Sequence, residues 1–383
     1  MKPLTTGSYN NITKFDNCYG CGVCAVVCHA KIINIRLNED GFYKPYIDNI
    51  SGCTNCGLCL EVCAFNHQEL AHETEPIACY AAWSKDPAIR YKCSSGGVGF
   101  EVGRTLINKG YKVCGVRYAP ESQRAEHYIA SNIAELIPSI GSKYIQSYTV
   151  DGFRAINRKE KYLVTGTPCQ IDSFRRYIRK FKCEANFVLL DFFCHGVPSM
   201  LTWHKYINEV ENTTGKVESV SWRNKATGWH DSWNMHIKGK DKTIESKWSG
   251  GDIFYNLFLG NSCLGKACYD NCKYKHQRSS ADIRIGDMWG QTYASDESGV
   301  SAIITYTESG DNALIHSNCT IMPHPLEVVA ESQMRSPARR PASHDMVMRR
   351  LKTDDTLMSI YHDARLIDLL LTKIPNKIAY YSK

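Results

Sequence analysis

The chain has no apolar run near the ~20 residues that a membrane-spanning helix needs. Stretches such as Phe187 to Leu190 or Leu369 to Leu371 stop after a few residues, so no membrane span is expected. It opens on Met1-Lys2-Pro3-Leu4, without the apolar segment of an export leader, and a reducing cytoplasm is the expected compartment. It also lacks a dominant charge: 46 Lys and Arg against 39 Asp and Glu leave +7. With no recognisable binding module beside so modest a charge, nucleic acid is not an expected partner. What it has in excess is cysteine, 18 in 383 residues, and in a reducing compartment these need an explanation other than disulfides. The length points to two or three domains, and 43% hydrophobic content is enough to build their cores.

The charge is uneven. Residues 1–75 hold five basic against eight acidic residues, or −3, which leaves +10 on the remainder. That basic remainder suits the phosphates of a nucleotide, an acidic redox partner, or simply a solvated lysine surface.

Cys18, Cys21, Cys24 and Cys28 form a C-x2-C-x2-C-x3-C run, and Cys53, Cys56, Cys59 and Cys63 repeat it. Two residues between thiolates let a short loop wrap three corners of a cubane, while the fourth Cys, expected to start a helix, reaches the other cluster. The expected pairing is crossed: Cys18, Cys21 and Cys24 with Cys63, and Cys53, Cys56 and Cys59 with Cys28. Zinc is the rival for C-x2-C pairs, but eight thiolates in two identical runs are too many for one zinc. Gly20, Gly22 and Gly57 allow the backbone to curl around inorganic sulfide. The segment resembles a bacterial two-cluster ferredoxin, departing from it at His29 and Ala64, where proline usually follows the fourth Cys. Residues 66–76 read as a polar linker, with a new domain beginning near Ile77.

Beyond it, strand-like and helix-like runs alternate, the pattern of an α/β or α+β body. Tyr111 to Tyr118 reads as a strand after a helix closed by Gly110. Tyr162 to Thr165 reads as a buried strand, followed by a Gly166-Thr167-Pro168 turn and a helix with Ile171, Phe174, Tyr177, Ile178 and Phe181 on one face and Arg175, Arg176, Arg179 and Lys180 on the other. This puts Cys169 at a helix N-terminus, where a thiolate is favoured. Phe187 to Phe193 reads as a second strand, ending at Cys194-His195-Gly196. The two cysteines are expected at neighbouring strand ends. With Cys268 and Cys272 they would complete a third tetrathiolate site, Cys263 standing as a substitute; buried packing is the alternative. Cys79, Cys93, Cys114, Cys183 and Cys319 read as packing residues.

Five ordered motifs then look like the coenzyme F-420 hydrogenase/dehydrogenase beta-subunit family: Cys93-Ser94-Ser95-Gly96-Gly97-Val98, Gly141 to Ser147, Gly166 to Ile171, Cys194 to Ser199, and Ala281 to Gly290. The resemblance runs from about residue 15 to beyond residue 307. It implies an iron-sulfur flavoprotein: FAD in the body, a 4Fe-4S cluster near it, and in many members a two-cluster ferredoxin segment in front. The Cys-x3-Cys spacing of Cys268 and Cys272 departs from the x2 expected there. The resemblance places FAD at Ser94, Ser95, Gly96 and Gly97, with Lys143 beside flavin phosphates or ring, and Gly166 and Thr167 as further contacts. An ordinary glycine-rich turn and a surface lysine are the plain alternatives. Trp222 to Lys225 and Gly228 to His230 resemble a segment on the substrate side, and His195 reads as a group packed beside Cys194. No catalytic acid is named.

The expected architecture is therefore a ferredoxin-like domain over 1–75 and an α/β flavin-binding body whose N-terminal part covers 76–160. Its C-terminal part, 161–383, carries the third-cluster cysteines and closing helices with Met346, Met348, Leu351, Leu357, Ile360, Leu366, Leu369 and Leu370 as apolar positions. The expected activity is an oxidoreductase passing electrons from ferredoxin or a partner redox subunit, through two 4Fe-4S clusters, a third cluster and FAD, to a small organic acceptor such as a deazaflavin. The alternative is an electron-transfer subunit whose substrate chemistry lies on a partner. The family resemblance does not choose the acceptor, and the oligomeric state is open.

Overall fold

The computed structural model describes residues 10–373. The Met1 to Leu4 start and the basic, aromatic end beyond residue 373 lie outside them. The fold is mixed α/β, with a small cysteine-rich module in front.

That module pairs two helices with a hairpin, Ile33–Leu37 against Tyr43–Ile47. Each cysteine run turns through a glycine with positive φ, Gly22 at 73° and Gly57 at 72°, which opens the short helices Val23–Val27 and Leu58–Glu61. Two residues earlier, Gly20 (71°) is matched in the second run by Asn55 (53°), and asparagine is among the few residues that tolerate this region. The third cysteine lies inside each helix. The fourth differs between the runs: Cys28 closes Val23–Val27, ending a helix where the spacing led us to expect a start, whereas Cys63 stands at the start of the 3-10 turn Ala64–Asn66.

The body is built on a nine-stranded sheet. Its order is Cys319–Pro323, Ala78–Ser84, Ser301–Thr305, Ile283–Asp287, Phe187–Phe192, Tyr162–Thr165, Lys112–Ala119, Arg124–Ala130 and Ser147–Tyr148. Ile283–Asp287, Phe187–Phe192, Tyr162–Thr165 and Lys112–Ala119 run parallel as the middle. Phe187 to Leu190 can be a continuous apolar run because a central parallel strand is covered on both faces. Strands from before and after residue 160 interleave in this one sheet. A second sheet joins Val217–Ser221, Asn234–Gly239 and Thr243–Lys247.

The Val98–Asn108 helix ends as expected, with Gly110 at φ 81° and Tyr111 N–H returning to Leu106 O at 3.0 Å. Pro168–Lys180 starts on a proline behind a Thr167/Gln170 capping box. Ile171, Phe174, Tyr177 and Ile178 are buried as expected and Phe181 is exposed, while Arg175 is buried with them, donating to Asp282 Oδ1 at 2.8 Å and Ser280 O at 2.9 Å. The 66–76 stretch differs from a free linker for the same kind of reason. Leu70 and Ala71 are buried, and buried body side chains hold its backbone: Asp172 accepts from Ala71 N–H and Ser280 Oγ from His72 N–H at 3.1 Å.

The two parts share one hydrophobic core. Val23, Val27, Ile33, Leu60 and Val62 of the module pack in one cluster with Phe153, Phe174, Ile178 and Leu189 of the body. At ~1.5–3 kcal/mol per fully buried large apolar side chain, separating them costs far more than a linker could hold. Two helices, His344–Arg350 and Leu357–Asp368, followed by the turn Leu369–Lys373, end the described residues. They bury Met348, Leu351, Leu357 and Ile360 but leave Leu366, Leu369 and Leu370 exposed.

Candidate functional site: three thiol groups and a buried cationic cluster

All eighteen cysteines are free. Cys24 is buried among thiols: burial pushes its own well up, and Cys21, Cys63 and Cys18 push it further. Cys63 is pushed up to about 12 by burial and by Cys21 and Cys18. Cys18, Cys21, Cys24 and Cys63 also line one pocket with Gly20 and Gly22. In the second group Cys59, raised by burial, stands by Cys56 and Cys28. The structure thus sets Cys63 with Cys18, Cys21 and Cys24, and Cys28 with Cys59. Cys56 is exposed, and Asn11 Nδ2 donates to Cys53 Sγ at 3.5 Å.

The third group assembles at the C-terminal ends of neighbouring parallel strands. Cys169 occupies the first turn of Pro168–Lys180, and its thiol is raised by burial, then by Cys194, Cys21 and Cys268, while Thr167 lowers it. Cys268, pushed up to about 12 by burial, feels Cys194 and Cys272. The x3 spacing has a local cause: Cys268 lies in the Lys266–Asp270 helix, and Cys272, four residues on, continues the same face past its end. Cys263 is fully buried and turns to Thr202 and Ser199, with burial raising it to about 12.

Among the described residues no three Cys, His, Asp or Glu side chains close around a point the size of one ion. A tetrahedral zinc would need sulfurs ~3.8 Å apart, from Zn–S ≈ 2.3 Å, whereas a cubane holds its ligands at four separate corners. Buried, mutually repelling thiols are stable as thiolates only around a cationic group, so this donor set fits iron-sulfur clusters.

Two residues that sequence reasoning missed join the first and third groups. Tyr19 hydroxyl donates to Asn271 O, between Cys268 and Cys272, and its ring stands 5.7 Å from Tyr274. Ser173 Oγ lies 3.2 Å from Cys21 Sγ. Lys275, also missed, is buried and donates to Cys194 O at 2.6 Å and His195 O at 3.0 Å. A lysine three residues beyond Cys272 was the available signal; Ser173 had none.

His195 packs edge-on against Phe258 at 5.1 Å, and Phe258 lies 5.7 Å from Tyr144. Tyr144 opens onto the remaining motifs, gathered around Arg223. Its guanidinium, without exposure, donates to Tyr144 Oη (3.0 Å), Asp287 Oδ2 (3.1 Å), Ser94 O (3.4 Å) and Ser232 Oγ (2.7 Å). It lies 4.8 Å from the Trp233 ring and 5.1 Å from Trp289. Ser94 Oγ accepts from Ser142 N–H at 2.8 Å and Ser95 O from Lys225 Nζ at 2.6 Å. Gly97 (φ 86°) opens Val98–Asn108, and a Cβ on Gly96 would press into Ala82 O and Ser301 N, so sheet packing alone explains Gly96.

Lys143 is a loop clasp, its ammonium donating to the carbonyls of Pro138, Ser139, Ile140 and Gly141 at 3.0–3.2 Å. Burial lowers it to about 7 and Lys225 to about 8. Carbonyls satisfy these ammonium donors without cancelling their charge. Arg223 and Lys225 contact Ser94 and Ser95, Lys143 lies in the loop that follows Ser142, and Asp287 is the carboxylate paired with Arg223. Gly166 N–H donates to Leu190 O at 3.1 Å, and Thr167 Oγ1 lies 3.2 Å from Cys169 Sγ.

Such a line of thiol centres defines a redox protein. Residues 17–67 match the 4Fe-4S dicluster domain, and residues 159–319 match the family described as the C terminus of the coenzyme F420 hydrogenase/dehydrogenase beta subunit. The chain thus joins an iron-sulfur segment to a body that is similar, over residues 159–319, to that beta subunit. No curated protein matches it. A chain of the xenon-derivatized F420-reducing NiFe hydrogenase complex from Methanosarcina barkeri is similar at 14% identity and a TM-score of 0.46, covering 76% of this chain and 90% of that one. No helix among the described residues is long and apolar enough to cross a membrane.

Proposed function

We propose that the chain is a cytoplasmic iron-sulfur flavoprotein oxidoreductase that moves electrons from ferredoxin or a partner redox subunit to a small organic acceptor. In this reading Cys18, Cys21, Cys24 and Cys63 hold one 4Fe-4S cluster, Cys53, Cys56, Cys59 and Cys28 a second, and Cys169, Cys194, Cys268 and Cys272 a third. FAD lies against Ser94, Ser95, Gly97, Lys143, Arg223 and Lys225. The clusters supply one-electron exchange, and the flavin a junction between one- and two-electron chemistry.

One observation supports the reading: exposed Cys56 neighbours Cys59, Cys59 neighbours Cys24, Cys24 neighbours Cys21 and Cys21 neighbours Cys169, and ring contacts through His195, Phe258 and Tyr144 lead on to Arg223. Along that line the chain's own residues do the positioning. Gly22 and Gly57 set the loop turns, and Tyr19 ties the first loop to the Cys268–Cys272 turn. Lys275 places positive charge beside Cys194, and Arg223 draws Ser94, Tyr144 and Asp287 together. The test is turnover: anaerobic protein reduced by ferredoxin is expected to reoxidise with one of a panel of deazaflavins and quinones, and no acceptor above the buffer rate would refute an enzyme acting alone.

A second reading, a subunit whose substrate chemistry lies on a partner, is favoured by the exposed row Leu366, Leu369, Leu370 and Leu371 at the end of the last helix. Co-purification of a large redox subunit from native extract would support it, and a lone active chain would not.

A further inference from the structure

Ser173 is fully buried on the Pro168–Lys180 helix, four residues after Cys169 and so on the same helix face. Its oxygen accepts the backbone N–H of Ala64, the residue following Cys63, at 3.0 Å. The same oxygen lies 3.2 Å from Cys21 Sγ. A ligating Cys21 has no proton, so the hydrogen in that contact must come from the Ser173 hydroxyl, whose oxygen the Ala64 N–H holds in place. One body side chain therefore touches the polypeptide at two of the four expected corners of a single cluster. The two cysteine runs are otherwise repeats, but the sulfur equivalent to Cys21 in the second run belongs to Cys56, which is exposed.

A reduced cluster carries one more negative charge than an oxidised one. A hydroxyl donated to a ligand thiolate stabilises the reduced form more and raises the potential. We infer that Ser173 is a positioning residue that raises the reduction potential of the cluster at Cys18, Cys21, Cys24 and Cys63 above that of its sister, so that electrons entering near Cys56 pass inward to the cluster beside Cys169. This rests on the ligand sets proposed above.

The test uses the full chain, purified anaerobically, with potentiometric titration followed by electron paramagnetic resonance and an iron count on each sample. Ser173→Ala is expected to lower the midpoint of one cluster alone by about tenfold in its reduction equilibrium, about 59 mV for one electron. Ser173→Thr, which keeps the hydroxyl, is expected to restore it. An unmoved midpoint, equal movement of every cluster, or loss of about four irons from Ser173→Ala would each overturn the inference, the last by making Ser173 a structural prop. Cys21→Ser separates this from failure of the ligand assignment: if that variant keeps all its iron and every signal, the assignment is wrong.

Discussion

Replacing Arg284 by Met tests how the body supports the third thiol group. Neither Arg284 nor Asp191 has any side-chain exposure. Asp191 accepts from Arg284 Nε at 2.8 Å and Nη2 at 2.7 Å, and from Ser279 Oγ at 2.6 Å. Arg284 Nη1 donates to Tyr274 O at 3.3 Å and His276 O at 2.7 Å. Those carbonyls flank Lys275 in the loop that follows Cys272, and Lys275 reaches back to Cys194 O and His195 O. Arg284→Met strands a buried carboxylate, at a cost of ~3–5 kcal/mol, and frees the Cys272 loop. The assay is thermal unfolding by circular dichroism beside an iron count. The melting midpoint is expected to drop, and iron to fall from about twelve toward about eight per chain. The double variant Arg284→Met, Asp191→Leu removes the stranded charge and should recover most of the stability, but not the two carbonyl contacts, so its iron should stay near about eight. A single variant that melts with the wild type, or a double variant that regains the iron, would refute the reasoning.

Three further outcomes are expected. Gly22→Ala and Gly57→Ala occupy equivalent positions and both strain a left-handed residue, at ~1–2 kcal/mol each; Gly22→Ala should cost more by thermal melting, because its Cβ would collide with the Thr149 hydroxyl whereas one at Gly57 meets only Asn10 at 3.4 Å. Equal costs would contradict the packing of the module on the body. Lys143 and Lys225 are lowered by burial to about 7 and about 8. Charging them is disfavoured in the fold, so they subtract stability as pH falls from the ordinary lysine value, ~10.4, toward those values, below which the loss is constant. A pyrophosphate reverses that preference. FAD affinity, followed by flavin fluorescence in deflavinated protein, should therefore weaken by up to roughly tenfold per pH unit per lysine above pH ~8, with Lys143→Met flattening the curve; a flat wild-type curve would exclude these lysines from the site. Finally, Cys63→Ser should remove the same paramagnetic signal as Cys18→Ser, and Cys28→Ser the same one as Cys53→Ser. Uncrossed loss would contradict the pairing.

The cysteine runs were legible because ligand spacing is a local property, and the strand-end positions of Cys169 and Cys194 because a buried strand followed by a capped helix leaves a clear pattern. What escaped was long-range. Arg175 lies on a basic helix face by periodicity, yet buried Asp282 draws it inward. Leu70 and Ala71 sit in a polar stretch, yet both are buried and Asp172, about a hundred residues away, holds the Ala71 backbone. Lys143 reads as a phosphate ligand or a surface lysine, and folds back onto four carbonyls of its own loop. Arg223 as the meeting point of several motifs could not be read from any one of them.

The central claim is that three thiol sets and a buried cationic group hold three clusters and a flavin in one line. Iron, acid-labile sulfide and flavin measured on anaerobically purified protein test it most directly: about twelve irons, about twelve sulfides and about one FAD per chain are predicted. About eight irons with FAD would contradict the third set, zinc in place of iron would contradict all three, and about eight irons without flavin would leave an electron carrier in place of an oxidoreductase.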